Sequence, residues 1–342
     1  LGTLLAGPLL QLLGTDPDIM ADSRTYLQIY FGGAVFLFLY NTLNGIYNAQ
    51  GDSKTPLIFL MISSLTNIVL DLLFVIRFGM GVAGVAWATL IAQGLCAVAS
   101  LLVLLRRMRR MPCEPEKQGV KLPLFHMVAV KRIAQIGLPS MLQQSLVSLS
   151  MMMMQGLVNS YGKVLVAGYT AATKIDTLAM LPNMNISNAM SSYTAQNIGA
   201  GKHQRARQTL RTGIGIGLFF GLFVFALVLC KGDLLCSFFT TDAPVIANGY
   251  AYLKGFALET ILTAILFSMI GYFNGSGKTV FVMAQGLFQT LLVRLPMAYI
   301  MSIQPNASLT MIGLAAPTST AVGVLLNVCF FLYLNRKEKK QG

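Results

Sequence analysis

The stretch TPLIFLMISSLTNIVLDLLFVIR, residues 55–77, decides the fold class of this protein. It is a long apolar run with a single acidic residue, Asp71, in its interior. An apolar run of more than about 18 residues is long enough to cross the core of a bilayer as a helix. Only 11% of the 342 residues are charged and 55% are hydrophobic, whereas a soluble domain carries about a quarter charged residues. The sequence therefore predicts an integral membrane protein.

Similar apolar blocks recur along the chain, separated by short segments rich in Gly, Pro and charged residues. Because strand-like alternation is absent and the bilayer excludes open sheets, we expect an all-α, polytopic membrane protein. The first block is too short to span the membrane. The ten blocks cover about residues 1–14, 22–50, 55–77, 81–105, 128–160, 163–198, 205–231, 246–273, 279–302 and 309–335.

Basic residues are concentrated in alternate connections between these blocks. Those connections and the C-terminal tail hold 18 of the 25 Lys and Arg residues, eight of them within 106–132. The positive-inside rule predicts a plasma (inner) membrane protein whose basic linker, 106–127, and C-terminus, 336–342, are cytoplasmic. These residues attract anionic membrane lipids, and their distribution does not support a nucleic-acid partner. The five Cys and two His residues show no metal-site spacing, so no zinc or haem site is expected.

An internal repeat relates two parts of the chain at a shift of 226 residues. TDPDIMADSRTYL at 15–27 matches TDAPVIANGYAYL at 241–253. The same shift pairs Gly45, Asn48 and Gly51 with Gly271, Asn274 and Gly277. Both copies run in the same direction across the membrane, which indicates two pseudo-symmetric lobes related by an axis along the membrane normal.

The repeat also predicts the organisation of the chain. The second lobe begins near residue 131, so the shift leaves the first lobe about 95 residues short, and we expect the sequence to lack its N-terminal part. About nine or ten of twelve spans would then be present, in two six-helix lobes. We expect spans 3–6 of the first lobe at 1–105, the linker at 106–127, spans 7–12 of the second lobe at 128–335 and a tail at 336–342.

A candidate ion site lies within the opening stretch. Ser63, Asn67 and Asp71 are spaced four residues apart, so they share one face of a helix. A carboxylate at the centre of a membrane is costly and almost always faces a cavity or a partner. The amide oxygen of Asn67 and the carboxylate of Asp71 suit a small hard cation or a proton relay. A hydrogen bond from Asp71 to a neighbouring helix is the structural alternative.

Polar residues in other spans predict a water-filled cavity. The 163–198 block is too polar to face lipid throughout, and the 128–160 block carries a polar stripe. Charged residues also interrupt the 246–273 and 279–302 blocks. We expect these side chains either to line a substrate cavity or to pair structurally: Gln144, Ser148, Lys174, Asp176, Glu259 and Arg294.

Five motifs together resemble the multidrug and toxic compound extrusion (MATE) transporters: NIVLDLLF at 67–74, MGVAGVAWATLIAQ at 80–93, GLPSMLQQS at 137–145, AGYTAATKID at 167–176 and QNIGAGKHQRAR at 196–207. The resemblance implies two six-helix lobes facing a central cleft. It also implies export of amphipathic, often cationic compounds against an inward flow of Na⁺ or H⁺.

The resemblance further implies which residues bind the coupling ion. The family's first-lobe cation site matches Asn67, Asp71 and Thr89, which makes these three residues a candidate Na⁺ site. The family's first-span Asp has no counterpart in this sequence. One branch of the family has acids near the places that Val147 and Thr263 occupy, so its second-lobe site is not expected.

The leading hypothesis is a cation-coupled antiporter that exports small organic substrates. It would be functional as a monomer at full length, with Na⁺ or H⁺ as coupling ion and no other cofactor. An alternative is a flippase for a lipid-linked oligosaccharide, whose pyrophosphate would require several deep cations, yet only Lys174 and Arg294 lie deep. An intramembrane enzyme is not expected, because no His lies in a span and no carboxylate pair shares a helix face.

Overall fold

The computed structural model describes residues 2–12, 17–110, 126–159, 163–304 and 309–339. Every regular element within these ranges is helical, which confirms the all-α fold class. The chain divides into two units, Leu1–Lys121 and Leu122–Gly342. The domain boundaries expected from the sequence stay a prediction, and residues 111–125 of the linker and 340–342 of the tail lie outside the described residues.

The described residues of the first unit form five α-helices. They are α1 (Gly2–Leu12), α2 (Pro17–Gly32), α3 (Ala34–Ala49), α4 (Lys54–Leu72) and α5 (Gly81–Arg110). The α4 helix continues as a π-helical segment over Leu73–Arg77, so the opening stretch forms one continuous helical span. Most large apolar side chains of α4, such as Leu57, Leu65 and Ile68, are exposed in the isolated chain, as expected for a surface that contacts lipid.

The sequence predicts one block at 22–50, but the structure has two helices there. The axes of α2 and α3 differ by 51° at Gly33. A Cβ atom at Gly33 would lie only 1.7 Å from Leu90 Cδ1, so the bend occurs where the backbone packs directly against α5. The block is not uniformly apolar, since Asp22, Arg24 and Gln28 lie in its first half, and the Gly32–Gly33 pair marks the bend.

The second unit contains the remaining helices. They are α6 (Met127–Asn159), α7 (Lys163–Gly199), α8 (His203–Ser237), α9 (Ala243–Gly275), α10 (Thr279–Leu287), α11 (Leu295–Ser302), α12 (Leu309–Gly313) and α13 (Ala315–Lys339). A second π-helical segment, Phe288–Arg294, joins α10 to α11, so these three pieces form one span.

Seven helical spans in the described residues are long and apolar enough to cross a membrane, or eight if the bent α2–α3 pair is one span. The described helices cover all nine blocks predicted between residues 22 and 335, one more than the eight spans counted by length and hydropathy. The difference arises from α6, which covers the predicted 128–160 block but is not among the seven. Its polar residues, including Gln143, Gln144 and Ser148, lower its hydropathy.

The α9 helix is the central element of the second unit. Its most apolar 18-residue window is 61% buried, compared with 11% for the window of α4. Two glycines allow α7 to approach closely, because a Cβ at Gly271 or Gly275 would lie 2.4 Å from the carbonyl oxygen of Ser187 or Ser191. This is the small-residue packing that lets membrane helices associate without a hydrophobic driving force.

The turns that follow α3 and α9 have the same geometry at the predicted shift of 226 residues. Gly51 and Gly277 adopt positive φ angles of 82° and 72°. The N–H of each glycine donates to the carbonyl oxygen of Asn48 or Asn274 at 3.0 Å. These are left-handed glycine caps that end one helix and direct the chain into the next.

Candidate ion-binding and polar sites

Asn67 and Thr89 come together at the contact between α4 and α5. The amide nitrogen of Asn67 donates to Thr89 Oγ1 at 3.3 Å, and the Thr89 hydroxyl donates to the carbonyl oxygen of Val85 at 3.0 Å. The bond engages only the nitrogen of the Asn67 amide. Asp71 lies one turn along α4 from Asn67, on the same face.

Asp71 lies at a change in helix geometry. Its Oδ1 atom is buried and has no hydrogen-bond partner. Two residues later α4 becomes π-helical, and the N–H of Phe78 donates to the carbonyl oxygen of Leu73 at 3.1 Å. Short π-helical segments inside α-helices are frequently found at functional sites. Carboxylate, amide and hydroxyl oxygens are the ligand types that a small hard cation prefers, and Asp71, Asn67 and Thr89 carry one of each.

Two polar atoms on α3 were not predicted. The amide oxygen of Asn44 and the hydroxyl of Tyr40 are buried and have no hydrogen-bond partner. The two residues are four positions apart, so they share one face of α3. A Tyr and an Asn four residues apart within an apolar block indicate a shared polar face, so this pair could have been found from the sequence.

An ion pair joins α5 to the turn before α4. Arg107 Nη1 donates to Asp52 Oδ2, and Arg107 Nη2 donates to Thr55 Oγ1 at 2.8 Å. The N–H groups of Lys54 and Thr55 each donate to Asp52 Oδ1 at 3.1 Å, so the carboxylate also caps the α4 N-terminus. Hydrogen bonds from Thr55 and Arg107 hold the pKa of the Asp52 carboxyl well below its usual range.

A chain of four polar side chains crosses the second unit. Gln285 Nε2 donates to Gln289 Oε1 at 2.6 Å, and Gln289 Nε2 donates to Thr320 Oγ1 at 3.1 Å. Thr320 donates in turn to Glu259 Oε1 at 2.8 Å. Gly323 makes room for the glutamines, because a Cβ there would lie 2.4 Å from Gln289 Oε1.

The predicted charges Asp176, Glu259 and Arg294 belong to one electrostatic centre in the second unit. Arg294 interacts electrostatically with both carboxylates. Glu259 is only 2% exposed, and its Oε2 atom, Asp176 Oδ1 and Arg294 Nε are buried without hydrogen-bond partners. Arg294 is the last residue of the second π-helical segment. One guanidinium is thus shared electrostatically by two carboxyl groups.

The other predicted cavity residues are exposed. Gln144 and Ser148 lie on an exposed face of α6. Lys174 is exposed as well, and its Nζ atom lies 5.7 Å from the centroid of the Phe239 ring. Thr263 is buried and donates to the carbonyl oxygen of Glu259 at 2.8 Å, so its polar group is satisfied locally.

Sequence reasoning missed the other three members of the polar chain that ends at Glu259, namely Gln285, Gln289 and Thr320. Gln285 and Gln289 are four residues apart in an apolar stretch, and Arg294 follows Gln289 by five, the repeat of a π-helix. This spacing is visible in the sequence, whereas the contribution of Thr320 from α13 depends on the tertiary fold.

The MatE family model matches residues 1–73 and 139–300, more than half of the chain. Among curated sequences, the chain is 31% identical over 301 residues to the probable multidrug resistance protein YpnP of Bacillus subtilis. This match covers 88% of the chain and 66% of YpnP. The chain is also 25% identical to the FAD transporter of Shewanella oneidensis, over 72% of the chain and 54% of that protein.

Solved structures show the same fold. The crystal structure of a MATE protein in the straight conformation aligns with a TM-score of 0.88 at 22% identity. The alignment covers 99% of the chain and 76% of that structure. With the matching family model and the helical fold, these comparisons show that the chain belongs to the MATE family of membrane transporters.

Proposed function

We propose that the protein is a cation-coupled antiporter that exports small organic compounds. The observation that carries this proposal is the buried Asp71 Oδ1, which has no hydrogen-bond partner and lies one turn from the Asn67–Thr89 hydrogen bond. In a membrane span an unpaired carboxylate is unfavourable, so a bound Na⁺ or a proton would stabilise the structure around it.

Coupling requires that the cation and the substrate favour different conformations of the transporter. A cation at Asn67, Asp71 and Thr89 would hold α4 against α5, because its ligands come from both helices. Release of the cation leaves the negative charge of Asp71 without compensation and favours rearrangement of the two helices. Movement of Na⁺ or H⁺ down its gradient would thereby drive export.

The names of the relatives support multidrug substrates. YpnP of Bacillus subtilis and MepA of Staphylococcus aureus are named for multidrug resistance or export. We propose amphipathic, often cationic substrates for this protein. Exposed Gln144, Ser148 and Lys174 are the best candidates for direct contact with them. Asp176, Glu259 and Arg294 would shape the cavity through their mutual electrostatic interaction.

The charge distribution argues against a flippase for a lipid-linked oligosaccharide. Such a cavity needs several cations to hold a pyrophosphate. Arg294 lies among carboxylates, and Lys174 is exposed beside Phe239, so neither contributes to a basic cavity.

Membership in a transporter family favours transport over enzymatic activity. We further propose that the protein acts as a monomer in the plasma membrane with its linker and C-terminus in the cytoplasm.

The proposal is tested by the variant Asp71→Asn in proteoliposomes of the full-length protein. Asn keeps the size of the side chain but removes the charge, so export driven by a Na⁺ or H⁺ gradient should fall at least tenfold, as expected for loss of about 1.4 kcal/mol of coupling. Asp233→Asn, an exposed acid on α8, is the matched control and should export normally. Undiminished gradient-driven export by Asp71→Asn would refute the proposal.

A further inference from the structure

A basic cavity lies at one end of the second unit, away from the charges inside its spans. It has a volume of about 320 Å³, at the lower end of the range for small-molecule sites. Four basic side chains from three parts of the unit line it: His203 and Arg207 on α8, Lys278 before α10, and Lys337 on α13. None of the described residues that line it is acidic.

Two helix N-termini add to the positive potential of this cavity. The α8 helix begins at His203, and α10 begins immediately after Lys278. Neither helix has a side-chain hydrogen bond at its N-cap. The first N–H groups of a helix have no partner within the helix, and they carry the positive end of its dipole. Such N-termini bind phosphate groups readily.

The repeat shows what an anion does at the corresponding turn of the first unit. A shift of 226 residues places Asp52 at the position of Lys278. There the Asp52 carboxylate accepts hydrogen bonds from the first N–H groups of α4 and pairs with Arg107. In the second unit a lysine, Lys278, occupies the position of this carboxylate at the corresponding turn.

From these observations we propose that the cavity binds a phosphate group. The group is carried either by free inorganic phosphate or by the headgroup of an anionic phospholipid, since both present the same oxygens to Arg, Lys and helix N–H donors. Tyr272 and Ser276, which also line the cavity, offer further polar contacts from the end of α9. The inference does not rest on the proposed transport activity.

The test measures the unfolding midpoint of the purified protein in non-ionic detergent by circular dichroism. One arm adds inorganic phosphate, with chloride at equal ionic strength as reference. The second adds short-chain phosphatidylglycerol, with phosphatidylcholine as reference. A ligand that binds only the folded protein raises the midpoint with concentration. A response to inorganic phosphate identifies the free ion as sufficient, and a response to phosphatidylglycerol alone identifies the lipid headgroup.

The double variant Arg207→Gln, Lys278→Gln should weaken the apparent affinity on the order of twentyfold, about fivefold for each removed charge. The matched control is Lys54→Gln, Arg211→Gln. Lys54 follows the corresponding turn of the first unit, and Arg211 lies one turn beyond Arg207, outside the cavity. This control should respond like the unmodified protein.

Without ligand, the cavity variant should keep the helicity of the unmodified protein. This readout separates a lost site from a misfolded protein. Equal responses of the cavity variant and the control would overturn the proposal. So would the absence of any response of the unmodified protein to phosphate and to phosphatidylglycerol.

Discussion

The amide nitrogen of Asn67 donates to Thr89 Oγ1 at 3.3 Å and thereby joins α4 to α5 beside Asp71. Thr89→Val keeps the shape of the side chain but removes its oxygen. We expect about a three- to tenfold loss of cation affinity, since one polar interaction contributes about 1 kcal/mol. Binding is measured by titration of the purified protein with Na⁺ at constant ionic strength.

Thr42→Val is the control for this change. Thr42 lies on α3, and its hydroxyl donates only to the carbonyl oxygen of Phe38 in its own helix. It should bind cation normally. If both variants bind as tightly as the unmodified protein, Thr89 is not a ligand.

Removal of the Thr320 hydroxyl should destabilise the second unit. Thr320→Val removes the hydrogen bonds that Thr320 makes with Glu259 Oε1 and Gln289 Nε2, at a cost of about 1–3 kcal/mol. Thr318→Val is a matched control two residues away, because its hydroxyl bonds only to the Leu314 carbonyl oxygen. Urea unfolding in detergent measures the difference. Equal stability of the two variants would show that the polar chain does not stabilise the fold.

The close approach of α7 to α9 predicts a strong effect at Gly271. A Cβ there would lie 2.4 Å from the Ser187 carbonyl oxygen, so Gly271→Ala should destabilise the protein by about 1–3 kcal/mol. A Cβ at Gly215 meets no atom within 4 Å, and Gly215→Ala should be neutral or stabilising because alanine favours helix. Unfolding midpoints compare the two, and equal midpoints would contradict the tight packing.

Acid should weaken the contribution of Asp52 to stability. Its pKa is lowered in the folded protein, so its stabilising effect is complete above the unfolded pKa of about 3.9 and is lost as the pH falls towards the folded pKa. Asp52→Asn should therefore reduce stability at pH 7 and flatten its decline below about pH 4. Asp22→Asn, at an exposed acid on α2, should leave the profile unchanged. Parallel profiles for Asp52→Asn and the unmodified protein would disprove this role.

The sequence predicts the helical membrane fold because long apolar blocks in a bilayer have few other structures available. It also predicts the matching turns at Gly51 and Gly277, since a left-handed cap depends on local residues. The bend at Gly33 was not predicted, although the Gly32–Gly33 pair is a local signal for a kink.

The same distinction applies to the polar sites. Asn67 and Asp71 lie on one helix, so their shared face follows from spacing alone, and the resemblance to the family supplied Thr89. The link from Glu259 through Thr320 to Gln289 joins three separate helical segments. Spacing within one helix carries no information about such a contact.

The most direct test of the account asks whether Asp71 itself binds the coupling ion. Infrared difference spectra of the purified protein are recorded on addition of Na⁺ and, separately, on lowering the pH. We predict a change in a carboxylate band with at least one of these ions, its loss in Asp71→Asn and its retention in Asp233→Asn. Identical difference spectra for Asp71→Asn and the unmodified protein would contradict the central claim.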